Sequence, residues 1–222
     1  MNNPFSLDFG AEPHLYIPRI EEQNKILSTF TSETPSNHIF LILGARGSGK
    51  TVLMTNISHK LKEEKNWTHI DLNVESDLLK SMAAKLSKKQ INLKVNLSVN
   101  GMGVSLEENS KYADIQADLD SMLEALAKKK MRLLITIDEI VNSKNVREFT
   151  TYYQHCLREN YPVFVLMTGL YKNIRALQND RSQTFLKRAP RINLGPLNTM
   201  RIAKKYEDTF EISTEKAIRS EE

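Results

Sequence analysis

The stretch Gly44-Ala45-Arg46-Gly47-Ser48-Gly49-Lys50-Thr51 narrows the folds open to this chain more than any other part of it. It matches G-x-x-x-x-G-K-[ST] in full, a pattern that average residue usage produces by chance in on the order of one in a hundred chains of this length. Its flanks carry the rest of the signal. Residues 38–43 (HIFLIL) form a short apolar run, as in a parallel strand buried on both faces, and residues 50–65 read as a helix. Strand, glycine-rich turn and helix in that order make a backbone nest. The glycines let successive N–H groups around Gly47 to Thr51 face one point, and the helix start adds the positive end of its dipole. Such a nest holds phosphate. The expected occupant is a nucleoside triphosphate, ATP with Mg²⁺, with the Lys50 ammonium on the β and γ phosphates and the Thr51 hydroxyl on the metal. Arg46 is expected to face solvent from the loop's rim.

A second apolar run, residues 131–137, ends in Asp138-Glu139. In an open parallel sheet, ligands gather at the carboxyl ends of the strands. Asp138 is expected to hold the metal there, and Glu139 to accept a proton from an attacking water. The competing account is that both carboxylates cap the following helix. Thr168 ends the next strand, residues 163–167, where its hydroxyl suits the γ-phosphate or the lytic water; Thr168-Gly169 also reads as a plain strand-to-helix turn. Arg188 stands just before a short fifth strand at residues 191–194. An arginine there can stabilise charge on a transferring phosphoryl group, in cis or from a neighbouring copy, or it can form a surface ion pair.

Helical spacing recurs at residues 21–30, 76–89, 111–130, 144–160 and 170–178, and residues 67–74 read as a further strand. This alternation predicts an α/β fold, a mostly parallel five-stranded sheet sandwiched by helices. One piece interrupts it. Residues 91–106 read as a β-hairpin turning at Asn100-Gly101, with Val95, Leu97, Val99, Met102, Val104 and Leu106 on one face. That face needs a cover, either the parent domain or another subunit or partner protein. Lys128, Lys129 and Lys130 close the 111–130 helix, where they complement its dipole from a solvated face, a nucleic-acid contact being the alternative.

Composition excludes several classes. Hydrophobic residues are 40% and charged ones 26% of the 222, ordinary for a globular chain with its own core. A net charge of +4 suits an anionic partner without requiring nucleic acid. The single cysteine, Cys156, excludes an intrachain disulfide and is expected to serve packing. The five histidines (14, 38, 59, 69 and 155) have no metal-ligand spacing. No leader-like start or membrane-length apolar stretch is visible, so a cytoplasmic location is expected.

Taken together, these residues resemble the AAA+ class of P-loop ATPases, and are most similar to the bacterial and archaeal ATPases related to origin-recognition and STAND-type switch proteins. The likeness covers residues 8–210. Its landmarks are Ile17-Pro18-Arg19-Ile20-Glu21, Gly44 to Thr51, Ile135-Thr136-Ile137-Asp138-Glu139, residues 165–170, and residues 185–189 leading to 192–197. The resemblance implies that Ile17, Pro18 and Arg19 lie near the adenine base, that Thr168 occupies a polar sensor position and that Arg188 is an arginine finger. It divides the chain into an ATPase core, residues 1–197, with the 91–106 hairpin as an insertion, and a partial helical lid, residues 198–222, with helices at 199–210 and 215–220. The expected arginine of a full lid has no counterpart here.

The leading expectation is an ATPase that binds ATP or ADP and switches conformation or assembly on hydrolysis. A non-catalytic nucleotide-dependent module that joins a protein or DNA partner is the second, and a small-molecule kinase the third. A homo-oligomer follows if Arg188 acts in trans.

Overall fold

Five strands lie side by side in the order β2-β3-β4-β1-β5, every neighbouring pair parallel. They are β1 (Ile39–Gly44), β2 (Trp67–Leu72), β3 (Arg132–Ile137), β4 (Val163–Gly169) and β5 (Arg191–Leu194). The helices between them are α1 (Ile20–Thr31), α2 (Lys50–Glu63), α3 (Leu78–Lys88), α4 (Glu108–Lys128), α5 (Lys144–Arg158), α6 (Tyr171–Asn179) and α7 (Thr199–Phe210). This computed structural model describes residues 17–89, 108–197 and 199–210; the ribbon expected at 91–106 and the helix expected at 215–220 lie outside those residues.

Side chains of one strand alternate between two cores. On β1, Ile39, Leu41 and Leu43 join a cluster with α3, α4, α5 and α6, while Phe40 and Ile42 join one with α1 and α2. β1 and β4 are buried along their whole length, which is why they read as unbroken apolar runs. The outer strands β2 and β5 mix buried and exposed positions.

The α1–α2 face holds an aromatic cluster. Phe30 meets Phe164 at 5.0 Å between ring centroids and Phe40 at 5.5 Å, and Trp67 meets Phe164 at 4.8 Å. Arg132 covers it: its guanidinium lies over Trp67 and Phe164 and donates to the carbonyls of Phe30 (2.6 Å) and Ser32 (2.8 Å). Truncating Phe30 to alanine should cost about 3–5 kcal/mol.

Two helices enter their strands through the same turn. Met131 N–H bonds Leu126 C=O and Lys130 N–H bonds Ala127 C=O, with Lys130 at φ 55°; Tyr161, Asn160, Cys156 and Leu157 repeat the pattern, with Asn160 at φ 56°. Both are Schellman turns. Lys130 therefore shapes the exit from α4, whereas Lys128 pairs with Glu124 at 3.8 Å on an exposed face. Cys156 is buried and burial pushes its thiol up to about 12, in keeping with packing.

The segment Arg181–Arg188 is a 3-10 stretch that helical periodicity did not announce. It is short, kinked at Gln183, and held by that buried side chain's bond to Arg147 C=O rather than by a repeating apolar face.

Candidate functional site

β1 ends at Gly44, and the next five residues turn the chain back into α2. Gly47 and Gly49 sit at φ 76° and 83°, left-handed values that side chains resist. Gly44 faces a different constraint: a Cβ there would lie 2.3 Å from Ser48 Oγ and 3.0 Å from Leu194 C=O. The first ladder bond of α2 runs from Leu53 N–H to Gly49 C=O at 2.9 Å, so the N–H groups of Lys50, Thr51 and Val52 have no carbonyl within the helix. They are left to face whatever occupies the loop.

Lys50 is buried, 8% exposed, and its ammonium donates to Gly44 C=O (3.1 Å) and Ala45 C=O (2.7 Å). The sequence expected that ammonium on phosphate; here it bonds its own loop with two of its three N–H groups. Thr51 Oγ1 donates to Asp138 Oδ2 at 2.7 Å across 87 positions of sequence. The other oxygen, Oδ1, accepts from the Thr168 hydroxyl and from Glu139 N–H at 3.0 Å. Glu139 N–H also reaches Thr168 Oγ1 at 3.1 Å. Loop, third strand and fourth strand thus meet at one carboxylate.

Glu139 is at φ 51° and exposed, and its carboxylate makes no hydrogen bond or ion pair among the described residues. Neither acid caps α5. Ser143 does, its hydroxyl accepting from Val146 N–H at 3.3 Å.

Two cavities flank the loop. The larger, about 710 Å³, is mostly apolar and is lined by Ile17, Ala45 to Gly49, Val52, Tyr171, residues 194–197 and Ile202 of α7, with Arg19 at its wall. A cavity of this size and lining fits a purine and its ribose. The smaller, about 240 Å³, is lined by Thr51 and Asp138 together with His59, Lys62, His69, Asp71 and Thr136. Within it Thr136 donates to Asp71 at 2.7 Å and accepts from His69 Nε2 at 2.8 Å, and burial holds His69 down at about 3, helped by Lys62 and Lys89.

Two expected positions, Pro18 and Arg188, differ from the sequence reading, while Arg19 keeps a place at the wall of the large cavity. Pro18 lines a separate outer cavity with Ile20 and Arg201, not the large one. Arg19 turns its guanidinium to backbone carbonyls, those of Ser48 (3.2 Å) and Gly195. Arg188 lies at the opposite end of the sheet, beside His38 and Ile39. β1 separates it from the loop by five residue steps, roughly 17 Å at the strand rise, so action on this chain's own loop is excluded. Arg46 is exposed at the cavity's rim.

Sequence reasoning missed Tyr171, Leu194 and Ile202 as cavity walls. Tyr171 had a signal: it stands two residues beyond the Thr168-Gly169 strand end, and it remains 49% exposed.

The donor set fits a polyphosphate with a hard divalent cation: free amides, an ammonium and a hydroxyl from the loop and the start of α2, and a carboxylate from the end of β3 bonded to that hydroxyl. No group of three or more His, Cys, Asp or Glu side chains converges on a metal among the described residues, and no helix there is long and apolar enough to cross a membrane.

The fold is that of origin-recognition proteins of known structure. Cdc6p from Pyrobaculum aerophilum matches with TM-score 0.58 and 18% identity over 97% of this chain and 52% of that one. The Aeropyrum pernix ORC2 protein, solved as ADPNP-ADP complexes, matches at 0.57 and 14% identity over 94% and 54%. Aeropyrum pernix ORC1, solved in complex with DNA, matches at 0.54 and 16% identity over 88% and 51%. The chain spans about half the length of these proteins. No curated protein matches it by sequence. The AAA+ P-loop architecture read from the motifs is the fold these neighbours share. The model of an ATPase domain found predominantly in Archaea matches residues 16–210, and the chain belongs to that family.

Proposed function

We propose that this chain binds ATP with Mg²⁺ at the loop Gly44 to Thr51 and uses binding and hydrolysis as a switch of conformation or assembly. The observation that carries this is the 2.7 Å bond between Thr51 and Asp138 beside a helix start with free amides. A hydroxyl and a carboxylate so placed would hold Mg²⁺, which when bound neutralises charge on the β and γ phosphates. The large cavity takes the base, with Ile17 as one wall. Lys50 releases Gly44 and Ala45 and turns to the phosphates, a move of one flexible side chain. Thr168 fixes Asp138 and the Glu139 amide from below. The Glu139 carboxylate, without a hydrogen-bond or ion-pair partner among the described residues, accepts a proton from the water whose oxygen bonds the γ-phosphorus as the β–γ bridge breaks. Residues 1–197 are the core of this switch and 198–222 a partial lid; a cytoplasmic location suits the lone free Cys156.

A second reading follows from Arg188, which this chain holds away from its own loop. An isolated copy would then bind nucleotide and turn it over slowly, serving as a nucleotide-dependent contact for a DNA or protein partner. ORC1 of Aeropyrum pernix was solved on DNA, which makes duplex DNA the partner to try first. The test is Glu139→Gln. ADPNP affinity should hold while phosphate release drops on the order of 100-fold or more. Turnover at the parent rate would remove Glu139 as the base. Measuring the parent across protein concentration, with and without DNA, separates the two readings.

A further inference from the structure

Arg19 ties three elements together. It stands at the start of α1, and its side chain is 10% exposed. One guanidinium nitrogen donates both to Ser48 C=O in the phosphate loop at 3.2 Å and to Gly195 C=O in the joint between β5 and α7. The other lies 3.6 Å from Glu22 of α1. A buried cation is costly unless its donors are met, so the two carbonyls and Glu22 fix where this fork can sit.

A Cβ at Gly195 would meet nothing within 4 Å, so the joint Arg19 grips is not wedged in place, and further out one exposed pair, Arg201–Glu21 at 3.2 Å, links α7 to α1 and is worth about 0–1 kcal/mol. Beside the grip, by contrast, Gly44, Ser48 and Leu194 are packed too closely to slide. Ile202 of α7 and the loop line the same cavity.

We infer that Arg19 is a positioning residue that transmits the state of the phosphate loop to α7. Any rotation of the Ser48 peptide as phosphate enters shifts one of the two carbonyls the guanidinium must satisfy, and the Gly195 joint follows. This rests on the nucleotide reading above and goes beyond the base contact implied for Arg19 by sequence.

Hydrogen–deuterium exchange on the full chain, with and without saturating ADPNP and Mg²⁺, tests it. In the parent, nucleotide should slow exchange at residues 44–51 and, by about fivefold or more, at residues 199–205. In Arg19→Ala, compared with the parent at equal nucleotide occupancy, the slowing at 199–205 should vanish relative to that at 44–51. Arg19→Lys, which keeps the charge but replaces the fork with one ammonium, guards against a folding defect and should lose most of the distal slowing with an unchanged melting temperature. Equal slowing at 199–205 in parent and Arg19→Lys would overturn the inference. Slowing confined to 44–51 in the parent would overturn it while leaving the nucleotide site standing; no slowing at 44–51 would remove both.

Discussion

At the carboxyl end of the sheet, Thr51 and Thr168 both bond Asp138, joining loop, β3 and β4, while buried Lys50 bonds the Gly44 and Ala45 carbonyls of its own loop. At the amino end, Arg158 and Arg188 line a cavity of about 360 Å³ with His38 and Gln154 and no carboxylate. Neither guanidinium has a hydrogen-bond or ion-pair partner among the described residues, and both are exposed. Exposure explains why this is tolerated, since water solvates the charge. The lesson is one of completeness. The first end has parts that suit a polyphosphate, whereas the second presents positive charge that no carboxylate among the described residues balances.

The contrast breaks most readily at Lys50. Lys50→Ala should weaken ADPNP binding on the order of 100-fold, the worth of one or two charge-assisted bonds, as read by calorimetric titration; unchanged affinity would mean the carboxyl end is not a site. Next comes Thr168→Val, which keeps shape but strips Asp138 and the Glu139 amide of a shared partner. It should cost about 1–3 kcal/mol in urea unfolding and slow turnover with binding little changed. A variant as stable and active as the parent would show that the buried hydroxyl adds nothing.

Arg188→Ala sharpens the other half. Its turnover should fall on the order of tenfold at high protein concentration, and Lys50→Ala chains, inactive alone, should restore it when mixed in. Failure of that rescue would leave Arg188 as a surface charge. The smallest effect belongs to His69. Held down at about 3, it stays neutral in the folded chain while the unfolded chain takes up a proton below the ordinary value of 6.5. The unfolded state then binds more protons, so this group's contribution is lost as pH falls from 6.5 towards 3. His69→Gln should flatten that part of the stability profile against the parent, and identical acid limbs would refute the assignment.

Local chemistry made much of this legible. An unbroken apolar run that stops abruptly, at Gly44 or at Asp138, reads as a buried strand before a turn, and β1 and β3 were read within one residue of their bounds for that reason. β5 and α7 match the sequence reading residue for residue. The meeting of Thr51 with Asp138 was legible too, because parallel topology brings the carboxyl ends of β1 and β3, which lead into the loop before Thr51 and into Asp138, to the same edge of the sheet. Side-chain direction was not. Arg19 and Pro18 are neighbours in an extended lead-in, where no period says which one turns inward, and they face different cavities. Arg188 was placed correctly before β5, yet which end of the sheet that is depends on strand direction relative to the loop.

Among the described residues, three non-glycine positions hold left-handed backbone, and two of them, Lys130 and Asn160, close helices. Glu139 has no helix to end. Asparagine or glycine would occupy that conformation with less strain. At position 139, relief of the backbone and the carboxylate proposed above as proton acceptor therefore pull against each other.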